Sequence, residues 1–271
     1  MLKYAAASLA LVFIGLLVEM RFLHPQAQEP PSASRGGRVP VVVELFTSEG
    51  CSSCPPADAL LAKLAEAQPV PAAEIIPIEE HVDYWDSLGW KDPYSSFEWT
   101  MRQQQYSEAF RSGSVYTPQM VVDGRAEFVG SREGMAEKEI LGATRGAKTE
   151  IVVTPDNLGM NGPQGFTIRV GRLTDATMRD VPEVWLGVTE SKLQSAVTRG
   201  ENAGENLRHT SVLRTLNKIG KAEPNKDQAF AGDQRVKLNP AWKRENTRVI
   251  VFVQERRSRR ILGAASSPVT P

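Results

Sequence analysis

In the first half of the chain, short segments of consecutive apolar residues alternate with segments in which apolar residues recur at helical spacing. Residues 39–46 are a valine-rich run broken only by Pro40 and Glu44, which predicts a buried strand of parallel type. Cys54 and two prolines then open a stretch whose apolar positions share one helical face. The same reasoning predicts a strand at 75–82 and a helix at 96–110. Strands are then predicted at 119–122 and 126–129 around an Asp-Gly turn, and a helix at 131–141 with Ser131 as N-cap.

Near residue 149 the pattern changes to short strands separated by turn residues, with almost no helical periodicity. Such spacing is typical of an antiparallel β-sandwich. Strands are predicted at residues 150–154, 166–170, 184–189, 196–199, 207–216, 235–238, 249–254 and 261–265. We therefore expect an α/β domain at 39–147, with a parallel or mixed sheet and flanking helices, and a β-sandwich domain at 148–271.

The N-terminal segment has the pattern of an export signal. Lys3 precedes an apolar run at residues 4–18, which is long for a signal peptide and short for a membrane span. Residues 1–28 are therefore predicted to be a signal peptide or a membrane anchor, and the Pro/Ser/Gly-rich residues 29–38 a flexible linker. This places the protein in the periplasm or outside the cell, either free or tethered to the inner membrane through residues 4–18.

The charge of the chain gives no indication of a nucleic-acid partner. Lys+Arg and Asp+Glu both number 32, so the net charge is +0. The arginines at 256, 257, 259 and 260 form only a short basic block beside a predicted strand, and we interpret them as a solvated strand end.

Cys51 and Cys54 are the two cysteines of the chain, and their close spacing indicates chemistry. A disulfide between them closes almost no loop and would add little stability. Because they follow a buried strand and precede a helix, the free N–H groups and dipole of the helix favour a thiolate there. We predict Cys51 as the nucleophile and Cys54 as the resolving thiol. The alternatives are a structural zinc half-site, for which further cysteine ligands are missing, and two inert buried thiols.

A second element is Thr117-Pro118, which directly precedes the strand predicted at 119–122. A proline at such a position can hold a cis bond, and in a dithiol fold it lies beside the nucleophile. The backbone of Thr117 is then exposed for a substrate strand. We predict Thr117 and Pro118 as substrate-binding residues.

Two further groups admit a functional and a structural interpretation. His81, followed by Asp83 and Asp86, could join both cysteines in holding a soft metal, but we favour a loop histidine hydrogen-bonded to carboxylates. Tyr84, Trp85 and Trp90 are interpreted as packing under a long loop rather than as a partner surface.

One further histidine, His209, lies in the second half of the chain. His209, Glu201 and Glu205 flank an Asn-Ala-Gly turn. We interpret them as residues that stabilise this turn rather than as catalytic residues.

The order of the predicted elements resembles the thioredoxin fold. More closely, several runs are similar to family 1223 of the domains of unknown function: Glu44-Leu-Phe-Thr-Ser-Glu-Gly-Cys-Ser-Ser-Cys-Pro-Pro-Ala-Asp58, His81-Val-Asp-Tyr-Trp-Asp86, Leu88-Gly-Trp-Lys-Asp92, Val115-Tyr-Thr-Pro-Gln-Met120, Arg199-Gly-Glu-Asn202 and Leu207-Arg-His209. The resemblance implies a secreted, thioredoxin-like protein without a settled activity.

The chain also departs from typical thioredoxins. Ser-Ser separates the cysteines, so a redox potential cannot be carried over. The buried acid of thioredoxins falls at Leu45, with Glu44 and Glu49 as nearby alternatives.

The leading hypothesis is a thiol–disulfide oxidoreductase that acts on protein or small-molecule thiols and disulfides without a cofactor or resident metal. One alternative is a non-catalytic metal-binding or metal-delivery module that uses Cys51, Cys54 and His81. Another is an interaction protein whose dithiol is vestigial.

Overall fold

The computed structural model describes residues 37–156, 163–173 and 180–269 of the 271-residue chain. The predicted signal peptide or anchor and most of the predicted linker therefore lie outside the described residues. In the described part of the chain, no helix has the length and apolar character that a membrane crossing requires.

Strands and helices alternate in the first half, in the order that the hydrophobic pattern predicts. The strands are β1 (Val39–Thr47), β2 (Ala73–His81), β3 (Gln119–Val122) and β4 (Ala126–Val129). The helices are α1 (Pro55–Ala67), α2 (Phe97–Phe110) and α3 (Glu133–Ala143).

The second half consists mainly of strands that pair antiparallel with one another. They are β5 (Ile151–Pro155), β6 (Gln164–Gly171), β7 (Pro182–Glu190), β8 (Leu193–Ala196), β9 (Asn206–His209), β10 (Val212–Lys221), β11 (Gln228–Val236), β12 (Thr247–Glu255) and β13 (Ile261–Pro268).

A large mixed sheet runs through both halves. β1 pairs in parallel with β2 and antiparallel with β3, and β4 pairs antiparallel with β3. Within the described ranges, eight strands form this sheet in the order β13-β12-β7-β10-β2-β1-β3-β4. The two halves meet where Val212 of β10 forms a parallel bridge with Glu79 of β2.

β1 is buried on both faces, which explains its continuous apolar run. Val41, Val43 and Leu45 belong to one core with residues of α1 and α3. Val42 and Phe46 point to the opposite face, where they join cores that contain residues of α2. Because side chains alternate along a strand, a single strand can serve both layers.

The prediction of a separate antiparallel β-sandwich is correct only in part. A smaller antiparallel sheet, β11-β6-β5, packs against β7 and β12 through a shared apolar core. However, β7, β10, β12 and β13 belong to the same sheet as β1, because β10 pairs with β2. The domain division between residues 147 and 148 therefore stays a prediction.

Several local predictions are wrong. The strand predicted at 235–238 lies mostly earlier in the chain, in β11. The strand predicted at 207–216 is broken at Ser211, whose φ of 54° lies in the left-handed region, and it becomes β9 and β10. Residues 197–204 lie outside any strand, so β8 ends at Ala196, where a strand was predicted to begin. α3 begins at Glu133 after Arg132, and Ser131 is not its N-cap.

A charged cluster is buried between α2 and the large sheet. Arg102 of α2 donates from Nε to Glu44 Oε1 of β1 at 2.8 Å, and from a terminal nitrogen to Gln254 of β12 at 3.1 Å. Tyr106 donates to the other Glu44 oxygen. Glu80 lies 3.4 Å from Arg102 Nε, and both carboxylates have no exposed surface. These contacts fix α2 on the sheet and offset the cost of burying charge.

Candidate functional site

The two cysteines are joined by a disulfide bond in the loop between β1 and α1. Their Cα atoms are 5.4 Å apart, and Cys54 is the N-cap residue directly before Pro55. The turn is tight, because Cys51 N donates to Ser48 O and Cys54 N donates to Cys51 O. The structure thus brings the predicted dithiol together at the start of a helix.

Both cysteines are closed off from solvent. Neither Cys51 nor Cys54 has exposed surface, whereas Ser52 and Ser53 between them are exposed. Cys51 Sγ lies 3.3 Å from the hydroxyl of Ser53. In this conformation a thiol in solution cannot reach either sulfur.

A loop of the second half, residues 200–204, lies against the dithiol turn. Asn202 donates from Nδ2 to the carbonyl of Glu49 at 2.8 Å and to the carbonyl of Cys51 at 3.1 Å. Glu201 accepts a hydrogen bond from the amide of Ser52 at 3.1 Å. These three bonds tie a segment more than a hundred residues away to the dithiol turn.

The Thr117–Pro118 peptide bond is cis. Pro118 lies near the first turn of α1: a Cβ added at Gly130 would contact the Cβ atoms of both Ala57 and Pro118, at 3.2 and 3.3 Å. Pro118 also accepts a hydrogen bond from the amide of Gly130 at 2.9 Å. The structure therefore places the Thr-Pro bend beside the helix that begins at the dithiol.

The aromatic residues that follow β2 are not a buried apolar cluster. Trp85 donates from Nε1 to Thr117 Oγ1 at 2.8 Å, and Trp90 donates from Nε1 to Glu49 Oε2 at 2.7 Å. Both indoles are partly exposed, and Tyr84 is 36% exposed. The interpretation as core packing is correct for Trp85, which packs against a buried core that includes Phe46 and Tyr106. In addition, the polar atoms of both indoles bridge the site loops.

A histidine–carboxylate cluster lies next to the dithiol turn and consists of Glu49, Glu79, His81, Asp92 and His209. His209 contacts Glu79 Oε1 from Nδ1 at 2.8 Å and Glu49 Oε1 from Nε2 at 3.0 Å. His81 contacts Asp92 Oδ2 from Nδ1 at 2.7 Å, and its Nε2 lies 3.4 Å from Glu79 Oε1. All five residues are buried, His209 at 3% exposure and the others at 1% or less.

Ion pairing within the cluster affects the pKa values of its members more than burial does. Burial by itself lowers the pKa of His209, but Glu79 and Glu49 outweigh it and raise that pKa to about 9. Burial raises the pKa of Glu79, yet His209 and His81 outweigh it and lower that pKa to about 2. The pKa of His81 is likewise raised, because Asp92 and Glu79 outweigh the effect of burial.

Asp58 is a further buried acid in the first turn of α1. Its amide donates to the carbonyl of Cys54 at 3.1 Å, and its Oδ1 accepts from Thr47 at 2.6 Å. Burial, followed by the charge of Glu79, raises the pKa of Asp58 to about 7. Asp58 is thus a buried acid in the helix turn that follows Cys54, whereas Glu44 is paired with Arg102.

Several site residues were not predicted from the sequence. His209 was interpreted as turn chemistry, but its ring lies in the buried cluster with Glu79. Asn202 was seen only as a turn residue, and it binds the dithiol turn. One feature of the sequence does indicate His209 and Asn202: the runs at 199–202 and 207–209 resemble the same family as the cysteine segment does. His81 is hydrogen-bonded to a carboxylate, as the sequence suggests, but it is the last residue of β2 rather than a loop residue, and its partner is Asp92.

A family model described as "Protein of unknown function (DUF1223)" matches residues 42–254. The chain belongs to this family. The DUF1223 match includes the dithiol turn, the histidine–carboxylate cluster and the 200–204 loop. A comparison with curated proteins finds no match.

Solved structures share the fold of this DUF1223 chain. Protein AGR_C_4864 from Agrobacterium tumefaciens is 25% identical, with a TM-score of 0.65, and the alignment covers 86% of this chain and 96% of that one. HBP35 of Porphyromonas gingivalis is 16% identical, with a TM-score of 0.61, over 86% of this chain and 76% of that one. At this identity the second similarity concerns the fold alone.

Proposed function

We propose that this protein is an exported thioredoxin-like protein that exchanges thiols and disulfides through Cys51 and Cys54. The observation that carries the proposal is the disulfide itself, which spans the turn between a buried strand and a helix N-terminus. A bond that closes so short a loop contributes little to stability, so its chemistry is the better reason for its presence.

The arrangement around the disulfide supports this proposal. β1, α1, β2, α2, β3, β4 and α3 follow the order of the thioredoxin fold, with β1 between parallel β2 and antiparallel β3. The cis Thr117–Pro118 bond lies beside α1, as it does in dithiol folds. Thr117 and Pro118 are accordingly proposed to receive the backbone of a substrate.

The exchange reaction needs no cofactor. In one direction, the Cys51 thiolate attacks a substrate disulfide, forms a mixed disulfide and releases a substrate thiolate. Cys54 then loses its proton and attacks Cys51 Sγ, which forms the Cys51–Cys54 bond and releases the second substrate thiolate. Two electrons pass from the protein dithiol to the substrate, and the reverse sequence oxidises a substrate dithiol.

The protein is proposed to act in the periplasm or outside the cell, free or tethered to the inner membrane through residues 4–18. The apolar run at residues 4–18 and the disulfide both support this location, because disulfides persist in oxidising compartments. Protein or small-molecule thiols and disulfides are the proposed partners.

Trapping of the mixed disulfide tests the exchange. Reduced Cys54→Ser protein, treated with oxidised glutathione, should accumulate a stable glutathione adduct on Cys51, because the resolving thiol is missing. Reduced wild-type protein should instead form the Cys51–Cys54 bond and retain no adduct. Mass spectrometry of intact protein and of peptides distinguishes the two products.

The matched control is Cys51→Ser, which keeps the other cysteine. It should form little adduct, because Cys54 is assigned only the resolving step. Equal adduct yields on the two single variants would contradict the assigned roles, and no adduct on Cys54→Ser would contradict the exchange reaction itself.

A further inference from the structure

We propose that Glu79, His81 and His209 form a binding site for one divalent transition-metal ion of the zinc type. This site is separate from the dithiol, and it uses neither cysteine. It also differs from the Cys51, Cys54 and His81 set that the sequence suggested as an alternative.

The three side chains present their ligand atoms to a common point. Glu79 Oε1 lies 2.8 Å from His209 Nδ1 and 3.4 Å from His81 Nε2, and one ligand atom from each residue lies within 4.8 Å of the others. Zinc bonds of about 2.0–2.1 Å in a tetrahedral arrangement separate ligand atoms by about 3.3 Å. Small shifts of the side chains therefore convert the present spacing into a coordination sphere.

The partners of the two imidazoles support a metal site. Asp92 holds Nδ1 of His81 at 2.7 Å, and Glu49 holds Nε2 of His209 at 3.0 Å. Each histidine thus has one nitrogen on a carboxylate and the other directed at Glu79. Metal-binding histidines characteristically donate their second ring N–H to a carboxylate, which fixes the ring and raises its basicity.

The environment of His81 Nε2 gives the strongest support for a bound cation. The side chain has no exposed surface, and this nitrogen makes no hydrogen bond, because its contact with Glu79 Oε1 at 3.4 Å lacks hydrogen-bond geometry. Buried polar atoms are nearly always paired, because an unpaired one costs about 1–3 kcal/mol. A cation between Nε2 and Glu79 would satisfy it.

The charge of the cluster also suits a divalent cation. A histidine that binds a metal ion is neutral, so in the metal-bound site the carboxylates of Glu49, Glu79 and Asp92 leave a buried excess of negative charge, which the two positive charges of the ion largely offset. The two imidazoles and a carboxylate are a ligand set that zinc and neighbouring first-row ions accept. Three protein ligands leave a fourth tetrahedral position for water or another donor.

An access route leads to the site from one side. The groove between α1 and the β8–β9 hairpin is lined by Asp58, Ala62, Leu207 and His209. His209 retains 3% exposure, so the cluster borders the bottom of this groove. The groove reaches the cluster at His209, and neither cysteine lines it.

Metal counting on the tag-free, oxidised full-length protein tests the proposal. The protein is stripped with chelator, incubated with zinc sulfate, passed through gel filtration and analysed for metal. We expect one zinc per chain. Cobalt(II) in place of zinc should give visible absorption bands of the strength typical of four-coordinate sites. Absence of bound metal in the oxidised wild-type protein would overturn the proposal.

Variants locate the site. His209→Ala should lose the bound zinc, whereas His24→Asn, which removes the remaining histidine of the chain, should retain it. Because a cavity at position 209 can disturb folding, Glu79→Gln serves as a near-isosteric second variant, with circular dichroism as the check. It should bind zinc at least tenfold more weakly. Retention of full affinity in both variants would refute the site.

A double Cys51→Ser/Cys54→Ser variant separates this site from the cysteine-based alternative. It should still bind one zinc if Glu79, His81 and His209 are the ligands. Loss of metal in this variant, with retention in His209→Ala, would overturn the assignment in favour of the cysteines. The result is independent of the proposed exchange reaction, because the oxidised protein is assayed for metal alone.

Discussion

Replacing Asn202 with alanine removes two of the three hydrogen bonds that tie the 200–204 loop to the dithiol turn. Asn202 is 7% exposed, and its amide reaches the carbonyls of Glu49 and Cys51. Each such bond has a net value of about 0.5–1.5 kcal/mol. The variant should therefore lose about 1–3 kcal/mol of the free energy that keeps the loop closed.

This loss predicts a measurable change in the reduction rate of the disulfide. Cys51 and Cys54 have no exposed surface, so a thiol reacts only with molecules in which the turn has opened. When opening is fast compared with the reaction, the rate follows the open fraction. Since 1.4 kcal/mol corresponds to a factor of ten, the rate should rise by about 5- to 150-fold.

The assay is reduction by dithiothreitol in excess at fixed pH. Samples are quenched with acid, alkylated and analysed by mass spectrometry, which counts free thiols directly. The pseudo-first-order rate constants of wild-type and variant protein are then compared at several reductant concentrations. Linear dependence on concentration confirms that opening is not rate-limiting.

Asn206→Ala is the matched control. Asn206 is an exposed residue at the start of β9, close in sequence to the loop. Its rate constant should equal that of the wild-type protein. An Asn202→Ala rate within twofold of the wild-type rate would refute the conclusion that the 200–204 loop limits access to the disulfide.

Two stability predictions concern the frame that holds the site. Arg102→Met leaves two buried carboxylates without their cation and should lower the free energy of unfolding by about 3–5 kcal/mol. Gln104→Met, on the exposed side of α2, should change the free energy of unfolding little. Urea denaturation followed by circular dichroism measures both variants. Gly124→Ala should cost at least about 1–3 kcal/mol, because φ is +61° and the new Cβ would overlap the carbonyl of Arg259. Gly134→Ala, inside α3 with open space around it, should stabilise by up to about 1 kcal/mol. A small effect of Arg102→Met, or equal effects of the two glycine substitutions, would contradict these accounts.

The first half of the fold could be predicted because its signals are local. The continuous apolar run of β1 reflects burial on two faces, and Val41 and Val42 indeed belong to different cores. The Cys-x-x-Cys segment follows directly on that strand, so its position at the start of α1 required no knowledge of distant residues. The Asp123-Gly124 turn is likewise encoded in two adjacent residues, both with positive φ.

The second half of the site could not be predicted, because its contacts link residues far apart in sequence. Nothing local to His209 indicates that its ring lies against Glu79, since that contact depends on β10 pairing in parallel with β2. The hydrophobic pattern predicts one strand where β9 and β10 lie, because the break at Ser211 is a backbone conformation without a strong residue signal. The strand pattern predicted antiparallel pairing in the second half but not the sheet it would join.

Glu49 connects the dithiol turn with the histidine–carboxylate cluster. Its backbone carbonyl accepts from Asn202, while its carboxylate contacts His209 and Trp90. One residue therefore binds the 200–204 loop through its backbone and the ring of His209 through its side chain. The second half of the chain thus contacts the dithiol in two ways, through the 200–204 loop from outside and through His209 from within the core.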